Sequence, residues 1–500
     1  MKIGSNKERF FATTLLAGVA TMGVPALVGT AALLAPTAAS ADDYTSGNLT
    51  GSVVDADGNA VAGATVVLRS QGQGFERTTT TNAQGGYRFT LIPQGDYTVT
   101  VSKSGLQTTS SENLHVQVGT ANSYQIVMAS QSSDEIVVTA ARRTEQFSQT
   151  TTGTSIDVGE LVERMPVARN ITALTLLAPS AVPADTAFGI ASGQSLAPAS
   201  ISGASGAENA FFINGLNITN FVNGIGGATV PFDFYQTVEV KTGGYQAEFG
   251  RATGGVINAV TKSGTNDFML AIHGNYAPNE LLEDRPNALN RQYSLYDNDE
   301  KSFTLEVGGP IIRDHLFFYG LGQWQDREFS TATTAGTYVH QVTNDPFYGF
   351  KIDGYITDTQ HLEFTWFDTT SQIDQDLHSF NTATNVINPA VLSRNMVRQG
   401  GESWVGRYTG SFTDWLTVSA AYGHSITDQA SVTNLLNIPR VQDARVSPAL
   451  DLSPNRTAAR TDPFLAYREF YRGDVDILFS LHGDHHVRFG LDHEDTTMDQ

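Results

Sequence analysis

The sequence predicts an all-β-dominated protein divided into several domains. Short runs of alternating polar and apolar residues recur from Leu49 to the end of the chain, which is the pattern of strands with one buried face. Glycine is abundant, with 47 residues, and only 16% of residues are charged, as expected for strands joined by many turns. A length of 500 residues exceeds what one hydrophobic core needs. Several domains are therefore expected.

Residues 1–41 have the pattern of an export signal peptide. Three basic residues precede an uncharged run at 10–41, which ends in the small-x-small pattern Ala39-Ser40-Ala41 that signal peptidase cleaves. A retained transmembrane helix is the alternative, because the run is long enough to span a bilayer. Several glycines and prolines dilute the run, and no basic cluster follows it. We therefore expect cleavage after Ala41 and export of the remainder.

Composition and motifs argue against several classes of function. The net charge of −21 disfavours a nucleic-acid partner, because phosphate binding requires clusters of Lys and Arg. The sequence contains no cysteine, and no histidine begins a His-x-x-Glu or His-Glu-x-x-His pattern of the kind that binds catalytic zinc. Neither of the common glycine-rich phosphate-binding motifs occurs. We predict no catalytic residues, no cofactor and no metal site, and we expect that the protein is not an enzyme.

Residues 42–132 are expected to form a small β-sandwich. Strands are predicted at 49–54, 64–69, 87–91 and 97–102. Turns rich in glycine and aspartate separate them, as in small all-β domains. The segment 55–59, Asp-Ala-Asp-Gly-Asn, partly matches a calcium loop but lacks the full set of ligands, so a hairpin turn is the favoured interpretation.

The spacing of glycines and apolar residues in this region resembles the carboxypeptidase regulatory-like domain. The matching patterns are Gly51-x-Val53-x-Asp55, Gly63-Ala64-x-Val66, Thr81-Asn82-x-x-Gly85-x-Tyr87 and Gly95-x-Tyr97-x-Val99. The resemblance implies a transthyretin-like sandwich with a carbohydrate-binding-like fold. Aromatic residues that could stack on a sugar ring are only scattered here, so we favour a spacer or signalling role over carbohydrate binding.

Residues 133–141 contain a short segment with high strand propensity. It consists of Asp134, Glu135, Ile136, Val137, Val138, Thr139 and Ala140. A partner can bind such a segment by adding it to a sheet edge, or the segment can begin the next domain, and the residues alone leave these two interpretations about equal. The segment resembles the TonB box of TonB-dependent transporters. That resemblance implies that TonB, with its inner-membrane energising complex, is a partner.

Residues 142–265 are expected to form an α+β plug. A short helix is predicted from Met165 to Pro179, and a strand at 211–213 leads into an Asn-Gly turn. The structural motif residues are Asn214, Gly215, Gly250, Arg251, Gly254 and Gly255. The arrangement resembles the plug of TonB-dependent transporters. The sequences Glu248-Phe249-Gly250-Arg251 and Lys262-Ser263-Gly264-Thr265 resemble the Oar-like branch of that family.

Residues 266–500 have the periodicity of a transmembrane β-barrel. Apolar residues alternate at 268–272, 303–307, 317–321, 348–352, 362–366, 404–412, 416–422, 475–479 and 487–491. We predict that they face outer-membrane lipid and that the polar positions between them face a wet lumen. On this assignment Phe317, Tyr319 and Leu321 face lipid.

The connections between these strands alternate in length. Long polar loops are predicted near 277–300, 328–346, 370–401 and 427–466, and tight turns lie between them. This order favours an outer-membrane barrel over a soluble all-β protein. Nine strands would leave unpaired edges in lipid, so we expect the chain to continue beyond Gln500. The resemblance implies a barrel of twenty-two strands.

Four histidines near the end of the sequence form a candidate metal cluster. They are His482, His485, His486 and His493. Strand parity places His485 on the lipid face and His486 on the lumen face, so a turn and a lumen wall are the favoured interpretation.

These parts predict a receptor in the outer membrane with its sandwich in the periplasm. A wide barrel needs a plug, and the resemblance implies that TonB pulls on the box segment to open a path for a bulky ligand, such as a siderophore, oligosaccharide or peptide. The alternative is an adhesion or protein-secretion factor built on the same scaffold. The identity of the ligand cannot be predicted, because loops determine specificity.

Overall fold

The structure is a computed structural model, and it describes most of the chain after residue 42. The described residues are 43–120, 122–130, 140–142, 151–165, 169–184, 198–220, 224–246, 248–250, 252–281, 283, 286–287, 293–332, 336–381, 384–434, 441–443, 445, 450–451, 464–481 and 484–499. The predicted signal peptide therefore lies outside them. Within these ranges, no helix has the length and apolar character needed to cross a membrane.

Seven strands form the predicted sandwich. They are β1 (Ser46–Asp55), β2 (Thr65–Ser70), β3 (Glu76–Thr80), β4 (Gly86–Pro93), β5 (Gly95–Ser102), β6 (Thr109–Val116) and β7 (Asn122–Met128). One sheet has the order β4-β1-β7 and the other β3-β2-β5-β6. Alternate residues such as Leu68, Tyr97 and Val99 fill the core between the sheets. Strands β3, β6 and β7 were not predicted, and polar residues dominate β3 and β6.

The plug combines two short helices with a five-stranded sheet. Its elements are β9 (Thr152–Asp157), α1 (Val158–Arg164), α2 (Ile171–Thr175), β10 (Ala181–Pro183), β11 (Ala199–Ile201), β12 (Ala210–Ile213), β13 (Leu216–Asn217), β14 (Tyr235–Gly243) and β15 (Val256–Thr261), preceded in the chain by β8 (Ala140–Arg142). The main sheet has the order β13-β12-β15-β14-β9. Every residue of the central strand β15 is buried.

The helix predicted from Met165 is shorter than expected and begins later. It is α2, which starts after Asn170, whose side-chain oxygen accepts a hydrogen bond from the Ala173 amide and so caps the helix. The preceding helix α1 was not predicted. Asp157 caps it in the same way by accepting from the amide of Glu160.

Most of the described residues after Phe268 form one large antiparallel sheet. Its strands are β16 (Met269–Ala277), β17 (Asp297–Ile312), β18 (Leu316–Ala332), β19 (Thr337–Thr343), β20 (Phe347–Thr357), β21 (Gln360–Asp368), β22 (Ser371–Asn381), β23 (Val386–Gln399), β24 (Glu402–Thr413), β25 (Leu416–Thr433), β28 (Phe464–Ser480) and β29 (Asp484–Asp499). A separate short hairpin contains β26 (Gln442–Asp443) and β27 (Leu450–Asp451). Nine of the long strands pair in chain order, as the periodicity predicts.

Two segments predicted as long polar loops are instead mostly strand. Strands β19, β22 and β23 occupy much of 328–346 and 370–401. Strand β19 pairs with residues 327–332 of β18, and β23 pairs with residues 430–433 of β25, so all three belong to the same sheet. The prediction was wrong because these strands carry polar residues on both faces. Such strands lack the apolar alternation that a lipid-facing strand shows.

The predicted lipid-facing side is correct for β16 but wrong for β18. Phe268 and Leu270 are exposed, as expected, whereas Phe317, Tyr319 and Leu321 are buried against other parts of the chain. In the register of β17 and β18, Phe303 on the outer face is opposite Trp324, which shows that the even-numbered residues of β18 face outwards.

Alternation alone could not identify the outer face of β18. Both faces of this strand carry large apolar residues, because its inner face contacts apolar parts of the plug and the sandwich.

The corrected face assignment predicts that substitutions at neighbouring positions lower the stability by different amounts. Phe317→Ala should lower the free energy of unfolding by about 3 kcal/mol, because it leaves a cavity in a closed core. Phe318→Ala should cost less than about 1.5 kcal/mol, since lipid can fill the vacated space. Urea unfolding of the full-length protein in lipid bilayers measures both values. Equal losses would contradict the assignment.

Candidate functional site

The predicted TonB box borders the sandwich. Asp134–Thr139 lie outside the described residues, and Ala140 begins β8. Strand β8 pairs antiparallel with β7, with Ala140 opposite Ile126 and Arg142 opposite Tyr124. The end of the box segment therefore belongs to an edge strand of the sandwich. Neither interpretation of the sequence anticipated this pairing.

The predicted Asn-Gly turn of the plug contacts the large sheet. Asn214 and Gly215 have φ values of 48° and 81°, as a tight hairpin between β12 and β13 requires. The side-chain amide nitrogen of Asn214 donates to Thr261 Oγ1 in the plug at 2.7 Å. It also donates to Thr365 Oγ1 in β21 at 2.8 Å. The turn therefore holds the plug against the inner face of the sheet, which we call the lumen wall.

The glycines of the plug motif have different surroundings. A Cβ added at Gly254 would lie 2.6 Å from Asn209 Oδ1, and one at Gly255 would overlap Ile201. A Cβ at Gly250 would meet nothing within 4 Å. Arg251 lies outside the described residues. Close packing thus accounts for Gly254 and Gly255 but not for Gly250.

An aromatic cluster joins the plug to the lumen wall. The ring of Phe234 in the plug lies 6.0 Å from Tyr319, 5.5 Å from Phe347 and 6.2 Å from Phe367, measured between centroids. All four side chains are buried. We predicted that the polar face of the strands borders a wet lumen. At the level of the Phe234 cluster, that face is instead part of a closely packed protein interface.

Ion pairs and hydrogen bonds supply the rest of the contact. Lys262 of the plug lies 2.7 Å from the buried carboxylate of Glu306 in β17, which also accepts from the Tyr319 hydroxyl at 2.6 Å. Arg468 of β28 donates to the backbone oxygens of Asn217 and Thr219 at 2.6 Å and 3.1 Å. These contacts are charge-assisted and therefore among the stronger hydrogen bonds of the interface.

Two groups of carboxylates and histidines have a spacing that could hold a metal ion, one between the plug and the lumen wall and one on the wall. They are Asp233, His273 and Glu306, and Asp353, His361 and Glu363. In the second group the Lys351 ammonium lies 2.8 Å from Glu363 and 3.4 Å from Asp353. In the first, Lys262 pairs with Glu306, and Arg169 pairs with Asp233. Side-chain cations thus already neutralise both groups, and we interpret them as ion-pair networks.

The histidines near the end of the sequence have separate partners. His486 lies 2.8 Å from Asp476 on the lumen wall, and His485 stacks on Phe479 on the outer side at 5.1 Å. The ring of His493 lies near Tyr471, and His482 is outside the described residues. This agrees with the predicted strand parity of His485 and His486.

The sandwich packs against the end of the large sheet that carries the tight turns. Phe75 stacks on Tyr355 of β20 with 4.6 Å between ring centroids, and the Tyr355 hydroxyl donates to Gln73 Oε1 at 2.5 Å. Gln73 also donates to the backbone oxygen of Gly264 in the segment that joins the plug to β16. The sandwich is thus in contact with both the plug region and the sheet.

Within the sandwich, the segment resembling a calcium loop is a hydrogen-bonded turn. The Asp55 carboxylate accepts from the amides of Asp57 and Asn59 at 3.0 Å and 2.8 Å. The hydrogen bonds from Asn59 lower the pKa of Asp55, and the Asp57 amide adds to this effect. The backbone itself supplies the partners of this carboxylate, which supports the interpretation as a turn.

Comparison with known proteins agrees with this architecture. Residues 48–129 match the carboxypeptidase regulatory-like domain family. The TonB-dependent transporter Oar of Myxococcus xanthus is 31% identical over 292 residues, which cover 55% of this chain and 26% of that protein. The chain therefore spans about a quarter of the length of this curated relative.

One solved structure in the comparison shows the same fold. The outer membrane transporter YddB of Escherichia coli aligns with a TM-score of 0.51 and 15% identity over 69% of this chain and 48% of that one. The siderophore receptor PirA of Acinetobacter baumannii aligns with a TM-score of 0.47 and 16% identity over 69% and 48% of the two chains.

The chain has the fold of a plug packed against a wall of long antiparallel strands, and YddB shares this fold. In sequence it is similar to the TonB-dependent transporter Oar, and the residues before its plug match the carboxypeptidase regulatory-like domain family. The resemblance noted in the sequence is therefore confirmed.

The plug glycines provide a matched pair of substitutions. Gly254→Ala should destabilise the plug by about 1–3 kcal/mol, because Asn209 would have to move and lose its hydrogen bonds with Gly255 and Ala199. Gly250→Ala should change stability by less than about 0.5 kcal/mol. The rate of limited proteolysis within the plug distinguishes the two variants. A plug that tolerates Gly254→Ala would disprove the packing argument.

The contact of the sandwich with the sheet depends on Tyr355. Tyr355→Ala should release the sandwich, because it removes the stack on Phe75 and the hydrogen bond to Gln73, an interaction worth about 2 kcal/mol or more. Tyr348→Ala on the outer face of the same strand serves as the control. The distance between spin labels on the sandwich and the sheet should broaden only in the first variant.

Proposed function

We propose that the full-length protein is a TonB-dependent transporter that takes up a bulky ligand through a plugged outer-membrane barrel. The observation that carries the proposal is the plug packed on the lumen wall, with a strand-prone segment between sandwich and plug. A siderophore, an oligosaccharide or a peptide is the expected class of ligand. The transport cycle requires no covalent chemistry, so we assign no catalytic residue.

The position of the sandwich supports the proposed direction of coupling. It contacts the sheet near Asp314 and Tyr355, where short turns connect the strands. Asn266, next to the sandwich, both donates to the Asp314 carboxylate and accepts from its amide at 2.8 Å and 2.9 Å. In outer-membrane barrels the short turns lie on the periplasmic side. We infer that the sandwich and the box segment are periplasmic, within reach of TonB.

The pairing of β8 with β7 suggests how the box could be presented. A strand next to a sheet edge keeps its own outer edge available for a further strand. The predicted box continues into β8 at Ala140, so a strand added by TonB would form beside the sandwich. Force applied there would act first on the sandwich and on the linker to the plug.

The sandwich is proposed to act as a spacer and docking element. Its aromatic residues Phe75, Tyr87, Phe89, Tyr97 and Tyr124 are all buried. Stacking on a sugar ring requires an exposed aromatic face. The sandwich in the described part of the chain offers none, which favours docking on the sheet over carbohydrate binding.

Binding to the periplasmic domain of TonB tests the proposal. Deletion of residues 134–140 or the substitution Val137→Pro should reduce binding of the full-length protein by about tenfold or more, because proline removes a backbone donor from strand pairing. Val137→Ala should keep binding within about threefold, since it retains the backbone. Equal binding by all variants, or none by the wild type, would favour the adhesion or secretion role instead.

A further inference from the structure

The first described residues of the chain are buried between the plug and the lumen wall. Arg407 Nη2 in β24 lies 2.9 Å from both carboxylate oxygens of Asp43. Arg488 Nη2 in β29 lies 3.3 Å from one of them. Asp43 is only 2% exposed. Asp43, which precedes the sandwich, is thus enclosed by two arginines from distant strands.

Tyr44 occupies an aromatic pocket in the plug beside these arginines. Its ring centroid lies 5.0 Å from Phe212 and 4.9 Å from Phe249. The guanidinium of Arg472 in β28 lies 4.6 Å from the same centroid, which is the geometry of a cation–π contact. The Asn258 side chain donates to the Tyr44 backbone oxygen at 2.8 Å.

The plug motifs identified in the sequence form part of this pocket. A Cβ on Gly215 would lie 3.3 Å from Tyr44 Cβ and 2.5 Å from Arg407 Nη1, so the Asn-Gly turn approaches the segment closely. Phe249 of the Oar-like motif supplies one aromatic wall. The adjacent Glu248 accepts a hydrogen bond from Arg472. These positions therefore have a second role beyond shaping the plug.

The charges in the pocket depend on the N-terminal segment. Arg407 has Asp43 at 2.9 Å, whereas its other carboxylate contact, Glu363, is at 3.8 Å. Burial would raise the pKa of Asp43, but Arg407, Arg488 and Arg472 together hold it well below its usual range. The Asp43 carboxylate is therefore charged, and its removal would leave a buried guanidinium poorly compensated.

The segment is continuous with the sandwich. Strand β1 begins at Ser46, directly after these residues, and the Thr45 hydroxyl donates to Glu363 of the wall at 3.1 Å. The other end of the sandwich leads through β8 to the plug. One end of the sandwich is thus fixed at the boundary of plug and wall.

We propose that this pocket is an internal binding site for an acidic–aromatic dipeptide, filled by Asp43 and Tyr44, and that its occupancy clamps the plug to the lumen wall. The pocket takes residues from both sides, Phe212 and Phe249 from the plug and Arg407, Arg472 and Arg488 from the wall. For the plug to move away from the wall, the dipeptide must therefore break its contacts with either the plug or the wall. The inference rests on the proposed plugged pore but not on coupling to TonB.

Ion conductance of the full-length protein in planar bilayers without TonB tests the clamp. Asp43→Asn combined with Tyr44→Ala should increase the time spent in conducting states by about tenfold or more, because both halves of the pocket lose their ligand. The control Asp57→Asn changes an exposed carboxylate in the sandwich turn and should behave as the wild type. A double variant that stays closed would overturn the proposal.

A peptide with the sequence of residues 42–46, Asp-Asp-Tyr-Thr-Ser, tests the binding site itself. It should bind the Asp43→Asn/Tyr44→Ala protein and close its conducting states, whereas the same peptide with Asn and Ala at the two positions should not. Wild-type protein, whose pocket is filled, should bind neither. Equal binding of both peptides would overturn the assignment.

A conservative substitution separates loss of the clamp from loss of folding. Asp43→Asn alone should conduct, because Arg407 and Arg488 lose the carboxylate between them, whereas Asp43→Glu, which keeps a charged carboxylate, should conduct less. Protease resistance of the barrel verifies that both variants fold. A folded Asp43→Glu variant that conducts as much as Asp43→Asn would overturn the role of this charge. Failure of TonB binding would leave these outcomes unaffected.

Discussion

Alternate side chains of the long strands point to the inner face of the sheet, and many of these side chains are charged. Glu306, Lys351, Glu363, Arg407 and Arg472 are all buried on that face. A buried charge is costly unless a partner of opposite sign lies close to it. The lumen wall therefore requires an interior that supplies matching groups, and the plug meets this requirement together with Asp43, which lies before the sandwich.

This constraint accounts for the character of the plug surface. Lys262 and Ser263 reach the wall through Glu306 and Lys351, and the Asn214 amide reaches Thr365. Such polar contacts give a defined position, and water can replace them when the plug moves. The aromatic cluster around Phe234 adds a dry contact. An interface of this mixed kind is suited to a plug that is closed at rest and displaceable under load.

The sandwich also packs against the lumen wall, at the end of the sheet that carries the short turns. Phe75 stacks on Tyr355, whose other face stacks on His361 at 4.5 Å. His361 in turn belongs to the ion-pair network of Asp353 and Glu363. A continuous set of packed groups thus connects the sandwich core to the wall.

The sequence by itself determined the properties that depend on neighbouring residues. The alternation of side chains identified nine long strands, and the Asn214-Gly215 turn followed from the positive φ angles that these residues tolerate. The family resemblance rested on motifs of a few residues each. Helix N-caps can be predicted from neighbouring residues in the same way. The N-cap at Asp157 was not predicted, because the helix that follows it is short.

Only the tertiary structure decided which distant groups meet. Asp43 and Arg407 are 364 residues apart, and no local pattern indicates that they form a pair. The same holds for the inner face of β18, where the sandwich buries Phe317 and the plug buries Tyr319. Residues buried in this way are as apolar as residues that face lipid. Periodicity reports the environment of a strand, whereas the choice of partner depends on how separate domains pack.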